Sequence, residues 1–285
     1  LSPKEVELKE LKASLKETQP IGSLLDLART LDQGKSVLTF AEAISDKSLK
    51  ATVALLAARG RGKSAALGIS LACAIAYGYS NIFVTAPSPE NLKTLFEMTI
   101  KGFTALGYKE HIDYEVVQSL NPKLNKAVVR LNVFRSHRQT IQYIPPTEHQ
   151  RLSQAELLVI DEAAAIPLPQ VQRLIGPYLV FIASTVNGYE GTGRALSLKL
   201  IKQLRDQASL AHHTAFSQKN KEAHKLTTTV AAKQEVATDA GIAANLRGRT
   251  LREVTLSEPI RYAENDPIEA WLNNLLCLNC TSQVP

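Results

Sequence analysis

The first nineteen residues interleave charges with leucines, opening Leu-Ser-Pro-Lys-Glu-Val-Glu-Leu-Lys-Glu-Leu-Lys. A narrow apolar stripe on an otherwise charged helix predicts a solvated element, here a connector from something upstream. Pro20-Ile21-Gly22 interrupts it. A second helical period then runs through Leu24, Leu25, Leu27, Leu31, Val37, Leu38, Phe40 and Ile44.

From residue 52 the period changes. Residues 52–57, 81–86, 156–160 and 178–184 are short β-type runs, largely apolar, while 126–134 and 140–144 alternate in part. Helical patterns fall between them at 65–77, 89–106 and 196–204, the first of these small and apolar almost all round. Strands apolar on both faces that alternate with helices predict an α/β fold, a mostly parallel sheet with helices on both faces. Between residues 207 and 249 Ala, Thr, Lys, Gln and His dominate and no period is sustained, which predicts a flexible linker. Regular patterns return at 250–256 and 267–278. The domain reading is a helical connector over 1–20, an α/β domain over 21–207, a linker over 208–249 and a return segment over 250–285.

Composition narrows the class. Hydrophobic residues make up 45% and charged residues 21% of 285, an ordinary globular balance. No run approaches the roughly 20 apolar residues of a membrane helix. The first residue is Leu1 and the one methionine is Met98, so the chain reads as a piece of a longer protein. Three cysteines are too few for a disulfide framework and fit a reducing compartment; Cys277 and Cys280 form a lone C-x-x-C in an apolar run, expected to pack as core. The net charge of +6 permits a polyanionic partner such as RNA.

The candidate chemistry begins at Ala57-Ala58-Arg59-Gly60-Arg61-Gly62-Lys63-Ser64, which follows a predicted strand and opens a predicted helix. That context makes it a phosphate loop: the glycines let backbone N–H groups turn toward phosphate oxygens, and the helix N-terminus adds partial positive charge. Lys63 is expected on the β- and γ-phosphates and the Ser64 hydroxyl on Mg²⁺. Ala57 stands where a first glycine is usual, a small departure.

Downstream, Leu157-Leu158-Val159-Ile160-Asp161-Glu162 is a strand ending in two carboxylates, as the strand beside the phosphate loop ends in P-loop ATPases. Asp161 would hold Mg²⁺ through water and Glu162 would orient and deprotonate the attacking water. Together the two motifs predict a RecA-like P-loop NTPase. Thr85-Ala86-Pro87 is placed like a helicase segment that touches a nucleic-acid backbone. Ser184-Thr185 is placed like an element coupling hydrolysis to motion, and Gln33 like an adenine-reading glutamine.

Five blocks carry a closer likeness: Ala58-Arg-Gly-Arg-Gly-Lys-Ser-Ala-Ala-Leu67, Asn81-Ile-Phe-Val-Thr-Ala-Pro-Ser-Pro-Glu-Asn91, Phe134-Arg-Ser-His-Arg-Gln-Thr-Ile-Gln-Tyr143, Val159-Ile-Asp-Glu-Ala-Ala-Ala-Ile-Pro167 and Asn187-Gly-Tyr-Glu-Gly-Thr-Gly-Arg194. With them the chain resembles the RNA cytidine acetyltransferase family, its eukaryotic nucleolar members above all, over most of residues 31–207 and again over 250–280. The resemblance implies a helicase-like ATPase portion of an enzyme that uses ATP and acetyl-CoA to form N4-acetylcytidine in small-subunit (18S) ribosomal RNA and some tRNAs during ribosome biogenesis. It implies residence in the nucleus and nucleolus. Its implied partners are ribosome-assembly factors and a guide small nucleolar RNA, with no membrane and with room for an oligomer. No acetyl-CoA pyrophosphate loop occurs in the sequence, so acetyl transfer is expected in a further domain beyond residue 285.

The resemblance also implies ATP contacts at Gly60, Arg61, Gly62, Lys63, Ser64 and Ala65, and at Arg261 in Glu258-Pro-Ile-Arg-Tyr262, an arginine suited to charge on the transferring γ-phosphate. After it the family pattern Ala-Pro-Gly-Asp-Pro is replaced by Ala263-Glu-Asn-Asp-Pro267. Arg194 is a second candidate for phosphate or RNA. Two other readings stand beside this one. A free-standing RNA helicase would need a second RecA-like lobe, for which residues 250–285 are too short. A nucleotide-held scaffold in a pre-ribosomal particle would use the same loop with little turnover.

Overall fold

The structure, a computed structural model, describes residues 2–47, 49–185 and 249–260, with the isolated positions 202, 205, 266–268, 271 and 275. The chain enters through α1 (Pro3–Leu15), which is closed by a capping box: Ser2 accepts from the Glu5 N–H, and the Glu5 carboxylate accepts from the Ser2 N–H at 2.7 Å. Most of α1 is exposed, with Leu8 buried. Lys12 donates from Nζ to the carbonyls of Asp26 and Ala28, tying α1 to the turn beyond α2 (Ile21–Leu25). The helical period expected over Leu24 to Ile44 is therefore two helices. Thr30 breaks it, extended at φ −125° and capping α3 (Leu31–Ser45) by accepting from the Gln33 N–H.

Among the described residues, eight strands form one sheet in the order β3-β4-β5-β2-β6-β7-β1-β8. They are β1 (Ala51–Ala57), β2 (Asn81–Thr85), β3 (Tyr114–Gln118), β4 (Val128–Val133), β5 (Gln139–Tyr143), β6 (Leu157–Ile160), β7 (Leu179–Thr185) and β8 (Thr250–Leu256). All pairings from β5 to β8 are parallel, and β3 and β4 extend the sheet as an antiparallel hairpin. Side-chain alternation divides the core. In β6, Leu157 and Val159 join one cluster and Leu158 and Ile160 the other; in β7, Phe181 and Ala183 part in the same way from Val180 and Ile182. The first cluster is covered by α3, α4 (Lys63–Ala76) and α5 (Lys93–Ala105), the second by α6 (Leu168–Leu174) and its flanking turns. A parallel sheet needs both faces covered, and here they are. Phe40 of α3 meets Phe181 of β7 with ring centroids 4.4 Å apart.

β7 pairs with both β1 and β6 and lies between them, so the acidic strand reaches the phosphate loop from one strand away. Two features depart from expectation. β3 and α6 were not expected: β3 buries only Tyr114 of its five residues, and α6 is a seven-residue helix too short to establish a period. The break assigned to 249 falls on a buried residue. Arg249 is 3% exposed and donates to Thr52 Oγ1 and to the carbonyls of Gly176, Ala51 and Tyr178 at the head of β8. The expected helix over 196–204 and linker over 208–248 lie outside the described residues, apart from position 202.

Candidate nucleotide site

Parallel strands point their C-terminal ends one way, and the candidate site sits at that end, where β1, β6 and β7 finish. After β1 the chain turns through Gly60 (φ 78°) and Gly62 (φ 84°) into α4. Both are in the left-handed region that L-residues avoid. A Cβ at Gly62 would also lie 2.6 Å from Ile260 Cδ1 and 2.8 Å from Gln33 Nε2, so those side-chain ends would have to shift. The loop bounds a cleft of about 400 Å³.

Lys63 is 8% exposed at the first turn of α4 and donates from Nζ to the carbonyls of Ala57 and Ala58 at 3.2 and 3.1 Å. Burial pushes its pKa down to about 8, an effect that Asp161 and Glu162 oppose and Arg59 and Arg61 reinforce. A desolvated ammonium at the positive end of a helix dipole, with two arginines near, is an anion site by electrostatics alone. Ser64 and Ala65 line the cleft beside it. Arg61 does not line the cleft, although its charge is felt at Lys63.

Asp161 directly follows β6 and is fully buried, its N–H donating to the Thr85 carbonyl at 2.9 Å. Its Oδ1 accepts from the Glu162 N–H at 2.9 Å, and the Ser64 side chain hydrogen-bonds its carboxylate. Burial drives its pKa up, against those two bonds and the charge of Lys63. Among the described residues, Oδ2 is buried without a hydrogen-bond partner. A hydroxyl and an unsatisfied carboxylate oxygen held together at a phosphate loop are hard oxygen donors that fit Mg²⁺. Glu162 follows in left-handed conformation (φ 50°) and lines the cleft. The structure thus brings Gly60, Gly62, Lys63, Ser64, Asp161 and Glu162 to one place.

Gln33 lies there too, but its amide is engaged. Oε1 accepts from the Arg29 N–H at 2.8 Å and Nε2 donates to the Gly62 carbonyl at 3.2 Å, in a side chain 1% exposed. In this arrangement Gln33 braces the phosphate loop against α3, and reading a base would require it to exchange one of those bonds. Arg261 lies outside the described residues, as do Arg194, the block 187–194, Cys277 and Cys280. The chain up to Ile260 is tied to the site. Asp32 Oδ2 accepts from the Ser257 N–H and hydroxyl and from the Glu258 N–H, and the Ile260 N–H donates to the Gly60 carbonyl at 3.1 Å.

The sequence did not announce the wall formed by α5. Thr94, Glu97, Met98 and Lys101 line the cleft at helical spacing, with Leu27 and Arg29 opposite in sequence before α3 and Thr185 at the end of β7. A mixed stripe at i, i+3, i+4 and i+7 beside the apolar face of α5 was the available signal.

Residues 54–279 match the family model for the helicase domain of RNA cytidine acetyltransferase NAT10/TcmA. The chain is 61% identical over 280 residues to the RNA cytidine acetyltransferase of Homo sapiens, covering 98% of this chain and 26% of that protein. It is 60% identical over 281 residues to that of Saccharomyces cerevisiae and 55% identical over 285 residues to RNA cytidine acetyltransferase 1 of Arabidopsis thaliana, covering 26% and 25% of them. The chain therefore spans about a quarter of the length of these relatives. Among solved structures it is similar to a Thermus phage large terminase ATPase domain, at 19% identity and a TM-score of 0.34 over 50% of this chain and 63% of that one. At that distance the likeness has no bearing on function, and the fold rests on the strand order and the loop described above.

Proposed function

This chain belongs to the family of RNA cytidine acetyltransferase NAT10/TcmA helicase domains, and on that premise we propose that it binds and hydrolyses ATP as the RNA-remodelling module of a cytidine-acetylating enzyme. The observation that carries the reading is the convergence of a buried Lys63, Ser64 and a buried, half-satisfied Asp161 at one phosphate loop, with Glu162 beside them.

The residues divide the work by chemistry. Backbone N–H groups of residues 60–65 and the Lys63 ammonium take the phosphate oxygens, which offset the cost of burying that charge. Ser64 and Asp161 would hold Mg²⁺, which supplies charge neutralisation on the phosphates when bound. Glu162 orients a water and accepts its proton as the oxygen attacks the γ-phosphorus and the bond to the β-phosphate bridging oxygen breaks. Arg261 is proposed as the finger on the developing charge. Its support is that Ile260, the residue before it, touches the loop through the Gly60 carbonyl.

The finer reading is the family's: N4-acetylcytidine in small-subunit rRNA and some tRNAs, acetyl-CoA bound by another part of the whole protein, assembly factors and guide RNA as partners, and nucleolar residence. The net charge of +6 is compatible with RNA. No helix among the described residues is long and apolar enough to cross a membrane.

The test is steady-state ATP hydrolysis with and without structured RNA, beside Lys63→Ala. RNA-stimulated turnover that the variant loses supports the reading. Tight Mg-ATP binding with no turnover, with or without RNA, rejects hydrolysis and favours the scaffold.

A further inference from the structure

The segment leaving β2 makes a hydrogen bond for which the hydrolysis scheme gives no reason. Beyond Thr85 the chain passes Ala86, Pro87 and Ser88 into a single 3-10 turn, Pro89–Leu92, that runs straight into α5. Pro89 fixes the first turn position, and the Asn91 N–H donates back to the Ser88 carbonyl at 3.1 Å. From this turn the Asn91 side-chain amide donates to Glu162 Oε2 at 2.8 Å. Its neighbour Glu90 accepts through Oε1 from Asn125 Nδ2 at 3.0 Å. Asn125 and Lys126, at φ 44° and 54°, form the left-handed pair of the tight turn between β3 and β4, closed by the Ala127 N–H on the Leu124 carbonyl at 2.8 Å. Lys123 and Lys126 are exposed on that turn.

Glu162 gains a hold from this bond. At φ 50° and ψ 42° it has left the direction of β6 and occupies a conformation unfavourable for a non-glycine residue, so the strand no longer fixes where its side chain goes. An amide N–H suits the task chemically. Being neutral, it orients a carboxylate without cancelling the charge that must accept a proton, as a lysine would.

We propose that Asn91 is the positioning residue of Glu162, and that through Glu90 and Asn125 it links this carboxylate to the basic β3–β4 turn. The proposal rests on Glu162 being the water-activating group. α5 strengthens the geometry: the helix that begins at this turn also presents Thr94, Met98 and Lys101 to the cleft, so a shift of the turn is felt at both the carboxylate and the nucleotide wall.

A double-mutant cycle on the full chain tests it. Asn91→Ala lowers kcat about tenfold and leaves the KM for ATP within about twofold, since a misdirected carboxylate costs rate and not binding. Asn91→Gln, which keeps the amide, recovers part of the loss. In a Glu162→Ala background Asn91→Ala changes kcat by less than about twofold. Equal losses in both backgrounds, or a raised KM with kcat unchanged, overturn the proposal. A readout that needs no turnover separates it from the hydrolysis reading: Glu162→Gln shifts the Asn91 side-chain amide resonances of the nucleotide-free protein. Unmoved resonances overturn the positioning role whatever the turnover. Shifted resonances in a protein that hydrolyses no ATP sustain it and reject hydrolysis instead.

Discussion

Lys63 is in conflict with its own surroundings. Its ammonium is buried at the positive end of α4 and its pKa falls from 10.5 to about 8. At about 1.4 kcal/mol per pKa unit, the folded protein without nucleotide bears a penalty of order 3 kcal/mol there. Lys63→Met removes the charge and keeps an unbranched apolar stem. The expected outcome is a nucleotide-free protein more stable by about 1 kcal/mol in urea unfolding, whose melting temperature Mg-ATP no longer raises. A stability loss in the variant would mean that the carbonyl bonds to Ala57 and Ala58 outweigh the desolvation. Cys73 is the quiet counterpart: buried in α4, its thiol is pushed up to about 12. Alkylating reagents at neutral pH should leave it unmodified in the native fold and label it after denaturation.

Between elements, two contacts control the cleft from a distance. α4 and α5 cross closely because Gly68 has no side chain; a Cβ there would sit 2.3 Å from the Leu95 carbonyl oxygen and 2.8 Å from Met98 Cβ. Backbone cannot yield as a flexible side chain can, so Gly68→Val must push α5 outward. The variant should lose about 2–3 kcal/mol of stability and bind ATP more weakly, because α5 carries one wall of the cleft. The second contact is the Asp32 clamp. Burial alone would raise its carboxyl, yet hydrogen bonds from the Ser257 side chain and backbone and from the Glu258 backbone take it below 3.8. A carboxylate depressed in the folded state contributes fully above about pH 4 and loses that contribution as pH falls through its folded value. Asp32→Ala should cost about 1–2 kcal/mol and expose the bonds around 257–260 to amide exchange, with no acid-dependent step below pH 4.

For the molecule as a whole, Arg249 fastens β8 to the sheet. It reaches residues 197 and 198 positions earlier in the chain, Thr52 and Ala51, as well as Gly176 and Tyr178. No carboxylate is among these acceptors; burial pulls the guanidinium down to about 10, and four neutral oxygens hold it. Arg249→Ala leaves those buried acceptors unpaired, and a loss of about 3 kcal/mol or more is expected in chemical unfolding. With β8 loosened, the segment from Ser257 to Ile260 loses its tether, so ATP affinity should fall with stability. Unchanged nucleotide binding would show the return segment to be docked by Asp32 alone.

Much of this was written into local sequence. The phosphate loop is legible because its chemistry is contiguous: a strand, two glycines, a lysine and a serine need no distant residue to be recognised. Asp161 and Glu162 are legible through that loop: two carboxylates after an apolar strand are common and often cap a helix, and the phosphate loop upstream is what singles them out. The near-continuous apolar runs that identified β6 and β7 leave neither strand a polar face, so their burial on both faces could be foreseen. Tertiary structure alone decided what depends on juxtaposition. It inserted β7 between β1 and β6, since crossover choice is settled by which faces pack and not by any local pattern. It engaged the Gln33 amide on Gly62 and Arg29, brought Met98 to the cleft through the packing of α5 on α4, and joined Asn91 to Glu162. It turned Arg249, an apparent linker charge, into a buried anchor, because only the folded sheet gathers four oxygens around one guanidinium. Local sequence fixes the chemistry a segment can offer, while the free energy that selects its partners comes from contacts between residues far apart in the chain.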